Sequence, residues 1–287
     1  MELGVHVSNF TWEGGTPQLA ATLGRLAREA EQAGVARITV MDHVWQIGAI
    51  GPPEHEMLEA YTTLGYLAAS TERVRLHALV TGVVYRSPGL LAKIATTLDV
   101  LSGGRAILGL GAAWNEEEAR GLGLAFPPLA ERFERLEETL QIIRQMWSGE
   151  DGPYAGAHYR LERTLSSPQP LTAPHPPIMV GGAGERRTLR LVAQYADACN
   201  LFANDEAAHK LAVLREHCER LGRDYDSIEK TVLAGAAFRG GPEALVEQLR
   251  KMHELGFSCA YVSLPGPAPL ARLEELAQRV VPQIAAW

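Results

Sequence analysis

Eight short runs rich in β-branched residues alternate with eight longer stretches of helical period along the chain. The predicted strands are Leu3–Ser8, Ala36–Met41, Val74–Val84, Arg105–Gly109, Pro177–Val180, Ala198–Phe202, Lys230–Ala237 and Cys259–Leu264. The predicted helices between and after them are Leu19–Ala33, Leu58–Ser70, Pro88–Leu101, Glu131–Trp147, Glu185–Tyr195, Asp205–Leu221, Pro242–Leu255 and Leu270–Val281. Local signals punctuate the pattern: Gly34 follows one helix, Pro88 opens another and Gly103 closes it. In Glu131–Trp147 the apolar stripe Phe133, Leu136, Leu140, Ile143, Trp147 keeps one face. Strict alternation requires a parallel sheet, because each step to the next parallel strand needs a crossover and a helix supplies it. Eight such units close a single (β/α)8 barrel, a TIM barrel, whereas open doubly wound sheets use about five or six strands. A chain of 287 residues is long enough for one barrel of about 250 residues. One stretch breaks the rhythm: Ser148–Pro177 carries six prolines and little periodicity. It reads as an insertion after the fourth helix, with a short hairpin at Tyr154–Leu161 and the character of a lid.

Charge and cysteine use narrow the partners. With 27 Lys+Arg against 34 Asp+Glu the net charge is -7, and the tightest cationic cluster is Arg186, Arg187 and Arg190. A nucleic-acid or membrane-surface partner would need a basic face, so a small-molecule substrate is expected. The opening residues carry no charged-then-apolar leader, and no run of about 18 apolar residues could span a bilayer. Cys199, Cys218 and Cys259 are isolated thiols without CxxC spacing. Together these features predict a reduced, cytoplasmic protein.

In a barrel of this type chemistry sits at the carboxyl ends of the strands. The predicted fifth strand runs into Gly181-Gly182-Ala183-Gly184-Glu185-Arg186. Glycines there let backbone approach a ligand, and a following helix N-terminus would attract a phosphate. The same glycines also suit a plain tight turn. Neither this stretch nor Gly109-Leu110-Gly111 completes a dinucleotide fingerprint. The second strand ends in Asp42-His43. An imidazole there suits proton transfer near neutral pH, or is a structural histidine. Adjacent residues point to opposite faces of a strand, so Asp42 is not expected to pair with His43. His6 and His77 lie within strands and read as core or barrel-lining residues. No HExxH, His-x-His or Gly-x-Ser-x-Gly pattern is present, and no lysine stands at a strand end. What remains is a wide mouth with a phosphate-type loop, aromatic walls and one histidine, suited to a large phosphorylated cofactor.

The chain resembles the bacterial-luciferase-like flavin and deazaflavin oxidoreductases, in particular the coenzyme F420-dependent branch. The resemblance rests on Asp42-His43 with Trp45, on Leu79–Val83, on the continuous stretch Leu91–Arg105, on Gly109–Glu118, on Arg132-Phe133 with Leu136–Glu138, and on Ile178–Gly182. It implies an insertion-bearing barrel, a homodimer, and a ring-shaped coenzyme at the barrel mouth. It implies that His43 exchanges a proton, and that Asp42, Thr81, Gly82, Val83, Gly111, Ala112, Ala113, Trp114 and Asn115 border the coenzyme. Gly181, Gly182, Ala183, Gly184, Glu185 and Arg186 would hold its phosphate. It implies a non-proline cis peptide around Gly82-Val83. The implied reaction is hydride transfer between reduced F420 and a small organic substrate; the alternative is an FMN-dependent monooxygenase served by a flavin reductase. The sugar-phosphate-oxidising relatives carry an acidic residue in the loop where Trp114 stands, so a less polar substrate is expected here.

Overall fold

A computed structural model describes residues 1–235 and 240–287. The strands are β1 (Glu2–Val7), β2 (Arg37–Val40), β3 (Arg75–Ala78), β4 (Thr81–Gly82), β5 (Leu108–Gly111), β6 (Tyr154–Ala155), β7 (Arg160–Leu161), β8 (Ile178–Gly181), β9 (Ala198–Phe202), β10 (Glu229–Leu233) and β11 (Cys259–Ser263). Nine of them form one parallel sheet in the order β3-β2-β1-β11-β10-β9-β8-β5-β4. The two ends meet. Leu76 of β3 bridges Ala106, with the Leu76 N–H donating to the Arg105 carbonyl (3.0 Å) and the Ile107 N–H to the Leu76 carbonyl (3.1 Å). The sheet is thus a barrel whose third position is a strand in two pieces, β3 on β2 and β4 on β5.

That split corrects the continuous strand expected over Val74–Val84, and the non-proline cis peptide lies inside it at Leu79-Val80, not at Gly82-Val83. Leaving the strand, the Val80 side chain turns towards β5 and β8. A Cβ on Gly111 or on Gly181 would stand 2.9 Å from its methyls, and one on Gly109 3.1 Å. Ordinary side chains there would collide with Val80. These glycines are required because protein, not only ligand, comes close.

The helices are α1 (Gly15–Gln32), α2 (Ala60–Ser70), α3 (Pro88–Ser102), α4 (Glu116–Gly121), α5 (Leu129–Trp147), α6 (Thr188–Tyr195), α7 (Ala207–Leu221), α8 (Pro242–Glu254), α9 (Pro269–Arg279) and α10 (Val281–Ile284). Most follow the predicted segments. Helix α4 is an addition, and α6 starts at Thr188 instead of Glu185. The last residues of the predicted strand Lys230–Ala237, 236 and 237, lie outside the described residues.

Residues 148–177 include the antiparallel pair β6–β7 at the expected hairpin. Two carboxylates anchor the segment to the outside of the barrel. Asp99 of α3 accepts from the N–H groups of Leu171 (2.8 Å) and Thr172 (3.0 Å), and Glu138 of α5 from those of Ala157 (2.7 Å) and Tyr159 (2.9 Å). No residue of this segment lines the cavity described below.

The barrel interior is polar at its amino-terminal end. Arg37, 3% exposed, pairs with Glu2 and Glu229 and donates to the Tyr261 hydroxyl (3.2 Å). That hydroxyl lies 3.0 Å from His77 Nε2, and His77 Nδ1 lies 3.1 Å from the Ala78 carbonyl. A carbonyl only accepts, so Nδ1 carries the proton and Nε2 accepts from Tyr261. Burial above all pushes the His77 imidazole down to about 3. The folded chain therefore holds His77 neutral where the unfolded chain would protonate it. Stability is lost as pH falls from about 6.5 towards that value, by roughly 3–5 kcal/mol at the acid limit. Urea unfolding at pH 7 and pH 4 should show His77→Gln losing less stability across this interval than the parent; equal losses would contradict the assignment.

Candidate active site

At the carboxyl ends of the strands the barrel opens into a cavity of about 640 Å³. One wall comes from β1, β2 and the split strand: His6, Met41, Asp42, His43, Val80 and Tyr85. The opposite wall comes from β8, β9 and the start of α6: Gly181, Gly182, Thr188, Asn200 and Phe202. Between them stand Gly111, Ala112, Ala113 and Trp114 after β5, with Leu129 and Phe133 of α5. Trp114 is 63% exposed, Leu129 55% and Phe202 54%, so the rim is apolar and open. Ala113 holds φ 60°, the only left-handed non-glycine among the described residues, and turns the chain from β5 into α4 at a cost of roughly 1–2 kcal/mol.

The centre of the first wall is His43. Its Nδ1 lies 2.7 Å from Oε2 of Glu118, a fully buried residue of α4. The same oxygen accepts from the Tyr85 hydroxyl (2.8 Å), and Oε1 accepts from the N–H groups of Val44 and Trp45 (3.0 Å for Trp45). Burial pushes this carboxyl up, yet the bonds from His43, Trp45, Tyr85 and Val44 together hold it below its ordinary value. An ionised carboxylate only accepts, so His43 carries a proton on Nδ1 and presents Nε2 to the cavity. The Trp114 ring stands edge-on to the imidazole, centroids 5.3 Å apart. A histidine held this way, on a buried carboxylate at the wall of an apolar cavity, can take a proton from a bound molecule, be stabilised as the cation by the carboxylate, and give the proton back as it returns to neutral.

Asp42, next in sequence, does other work. Both its oxygens meet Arg86 (2.8 and 3.0 Å), and the Gly82 N–H adds a third bond (3.3 Å). Burial raises the Asp42 pKa against the pull of Arg86. Arg86 also pairs with Glu59, the N-cap of α2, and lies over the Tyr61 ring, whose hydroxyl is 2.8 Å from Thr81 Oγ1. This cluster pins β4 and the Gly82 backbone to β2 and so fixes one side of the cavity. As anticipated, Asp42 and His43 do not pair.

On the opposite wall, Gly182 takes φ 123°, which only glycine adopts readily. Helix α6 then begins with Arg187 at its N-cap position and without a side-chain cap, and the Leu189 N–H of its first turn donates to the Gly184 carbonyl (3.0 Å).

A sequence model described as luciferase-like monooxygenase matches residues 1–280. The chain belongs to this family. The F420-dependent glucose-6-phosphate dehydrogenase of Nakamurella multipartita is 30% identical over 240 residues, 79% of this chain and 67% of the relative. Among solved structures, an F420-dependent secondary alcohol dehydrogenase in complex with an F420-acetone adduct superposes with TM-score 0.82 at 16% identity, covering 99% of this chain and 98% of the other. The monooxygenase RslO1 from Streptomyces bottropensis gives 0.80 at 19%, covering 99% and 100%. These structural likenesses establish a shared fold.

In this luciferase-like barrel the residues expected at the site divide. His43, Asp42, Gly82, Gly111, Ala112, Ala113, Trp114, Gly181 and Gly182 line one cavity. Thr81 and Val83 are buried behind it, Thr81 on Tyr61. Asn115 caps α4, accepting from the Glu118 N–H (3.4 Å). Ala183, Gly184 and Arg186 follow Gly182 on the loop without lining the cavity. Glu185 turns away altogether to accept from Lys210 (2.6 Å) and His209 (3.1 Å) of α7. A carboxylate would repel a phosphate, and the structure spends it on a surface ion pair instead. Glu118, Tyr85, Thr188 and Asn200 were not expected at the site. Only Glu118 had a local signal: Asn115 followed three residues later by a glutamate is a helix-start pattern.

Proposed function

We propose that this chain is an oxidoreductase that moves a hydride between the deazaflavin coenzyme F420 and a small uncharged organic substrate, with His43 carrying the accompanying proton. The observation that carries the reading is the buried Glu118–His43 pair at the wall of a large apolar cavity; the F420-dependent names of relatives support it. The cavity also fits the coenzyme. Its volume lies within the range of roughly 300–1,000 Å³ usual for such ligands, and its lining is mostly apolar with a few polar groups. Val80, Ala112 and Ala113 would border the ring, and Gly182, Thr188 and the start of α6 would hold the phosphate. When bound, the deazaflavin supplies or accepts the hydride. His43 then gives a proton to, or takes one from, the substrate atom nearest Nε2, while Glu118 holds the ring in place and balances its charge. The working unit in this reading is a cytoplasmic homodimer, which light scattering would show as twice the chain mass.

A second reading, an FMN-dependent monooxygenase, is favoured by the family description and by the RslO1 likeness. Equilibrium titration separates the two. The expected result is micromolar or tighter binding of F420 and at least tenfold weaker binding of FMN; the reverse order would overturn the first reading.

The glycine slot for Val80 gives a further test. Gly111→Ala should push Val80 towards the ring site and weaken coenzyme binding roughly tenfold or more, with a stability cost of about 1–3 kcal/mol. Adding Val80→Ala should restore most of the affinity. No recovery in the double variant would mean that the glycine serves something other than Val80.

A further inference from the structure

His6 stands on the same wall of the cavity as His43. It lies on β1, only 4% exposed, and lines the cavity. Its Nδ1 is 2.8 Å from Thr39 Oγ1, the residue opposite it in register on β2. Its Nε2 is not among the buried unpaired polar atoms of the described residues, which are Arg132 Nε and Ser166 Oγ, and His6 lines the cavity, where a bound molecule can meet it. His6 and His43 stand on adjacent strands, whereas Gly182, Thr188 and Asn200 come from β8, β9 and α6 across the barrel. The two imidazoles therefore share the wall where the proton moves, and the anion-binding end is opposite.

We propose that His6 is a second imidazole of the reacting site: its Nε2–H donates a hydrogen bond to the same substrate oxygen that exchanges a proton with His43. The substrate class this requires is a carbonyl compound or the corresponding alcohol, and the proposal rests on the hydride-transfer reading above. In the reducing direction, hydride from the reduced deazaflavin forms the new C–H bond and the C=O π pair moves onto oxygen. His43 supplies the proton to that oxygen from Nε2, becoming neutral, and His6 keeps its own proton throughout. The oxidising direction is the reverse. In this proposal the Thr39 hydroxyl, which can serve as either partner, donates to Nδ1 and leaves the ring proton on Nε2. Burial, with the nearby His43 adding to it, pushes the His6 imidazole down to about 4, so it remains a neutral donor near neutral pH. A neutral imidazole that polarises a carbonyl does not compete with the neighbouring group for the proton.

The test uses ¹⁵N-histidine-labelled protein, first coenzyme-free and then loaded with F420. At pH 7 and at pH 5.5 His6 should give the signals of a neutral Nε2–H tautomer, and saturating cyclohexanone should shift the Nε2 resonance. An Nδ1–H tautomer, an imidazolium at pH 5.5, or no response to cyclohexanone would each overturn the proposal. Kinetics give a second readout. His6→Leu should lower kcat for cyclohexanone reduction roughly 10²–10³-fold, and His6→Gln, which keeps an N–H donor, should recover at least tenfold of that. Coenzyme affinity should be unchanged in both, which also shows that both fold. A tenfold loss of F420 affinity in His6→Leu would mean that His6 serves the coenzyme instead, and the proposal falls. Failure of the parent protein to bind F420 would be failure of the hydride-transfer reading, which the tautomer measurement on the coenzyme-free protein does not depend on.

Discussion

His43→Gln is expected to lower kcat for hydride transfer roughly 10²–10⁴-fold, the range for loss of a positioned acid or base. The glutamine amide can still donate to Glu118, so the wall of the cavity keeps its shape and Val44 and Trp45 keep their acceptor. Coenzyme affinity should change less than threefold, because the loop at Gly182 and Thr188 lies on the other wall. Rapid-mixing measurement of the single hydride step, alongside an F420 titration, checks both parts. A variant that transfers hydride within threefold of the parent rate would remove His43 from the reaction.

The second large effect is expected from Glu118→Gln. The side chain keeps its size, and its carbonyl oxygen can still accept from Val44 and Trp45. The other arm now ends in an NH₂ group facing His43 Nδ1 and the Tyr85 hydroxyl, where the carboxylate accepted from both. To avoid two opposed donors the imidazole moves its proton to Nε2, and its cation loses the balancing charge. By analogy with the serine-protease aspartate, where the same change selects the wrong tautomer, kcat should fall roughly 10²–10⁴-fold. Tyr85→Phe removes one donor but leaves the charge and the tautomer, so its loss should stay below tenfold. Equal effects of the two substitutions would show that Glu118 serves packing and not the state of His43. Glu118→Leu is a different experiment: it strands the N–H groups of Val44 and Trp45 and should cost about 1–3 kcal/mol for each buried donor left unpaired.

The barrel was legible because short β-branched runs and stretches of period 3.6 alternate cleanly, and closure at eight units leaves few other topologies. The division of the third strand was not. Val74–Val84 is an unbroken run of strand-forming residues, and the break at Leu79-Val80 depends on space opened by glycines on β5 and β8, far along the chain. His43 could be singled out by its position at a strand end. Its partner could not, because Glu118 lies 75 residues away and sits in a run of three glutamates that reads as a solvated helix start. Glu185 misled for the converse reason. After glycines it looks like the first turn of a helix, but the turn that would face a phosphate begins at Thr188, and Lys210 draws Glu185 outwards. The segment Ser148–Pro177 was recognisable as irregular, but its proline content says nothing about which side of the barrel it covers. Asp99 and Glu138 decide that by gathering its backbone N–H groups.

The central claim is that this cavity passes a hydride between a deazaflavin and an organic substrate without oxygen. Its most direct test is a single turnover with enzyme-bound reduced F420 and cyclohexanone, followed at the coenzyme absorbance in argon and in air. The coenzyme should be oxidised at the same rate in both, with one cyclohexanol formed per coenzyme. Turnover that requires air and proceeds only with reduced FMN would contradict it.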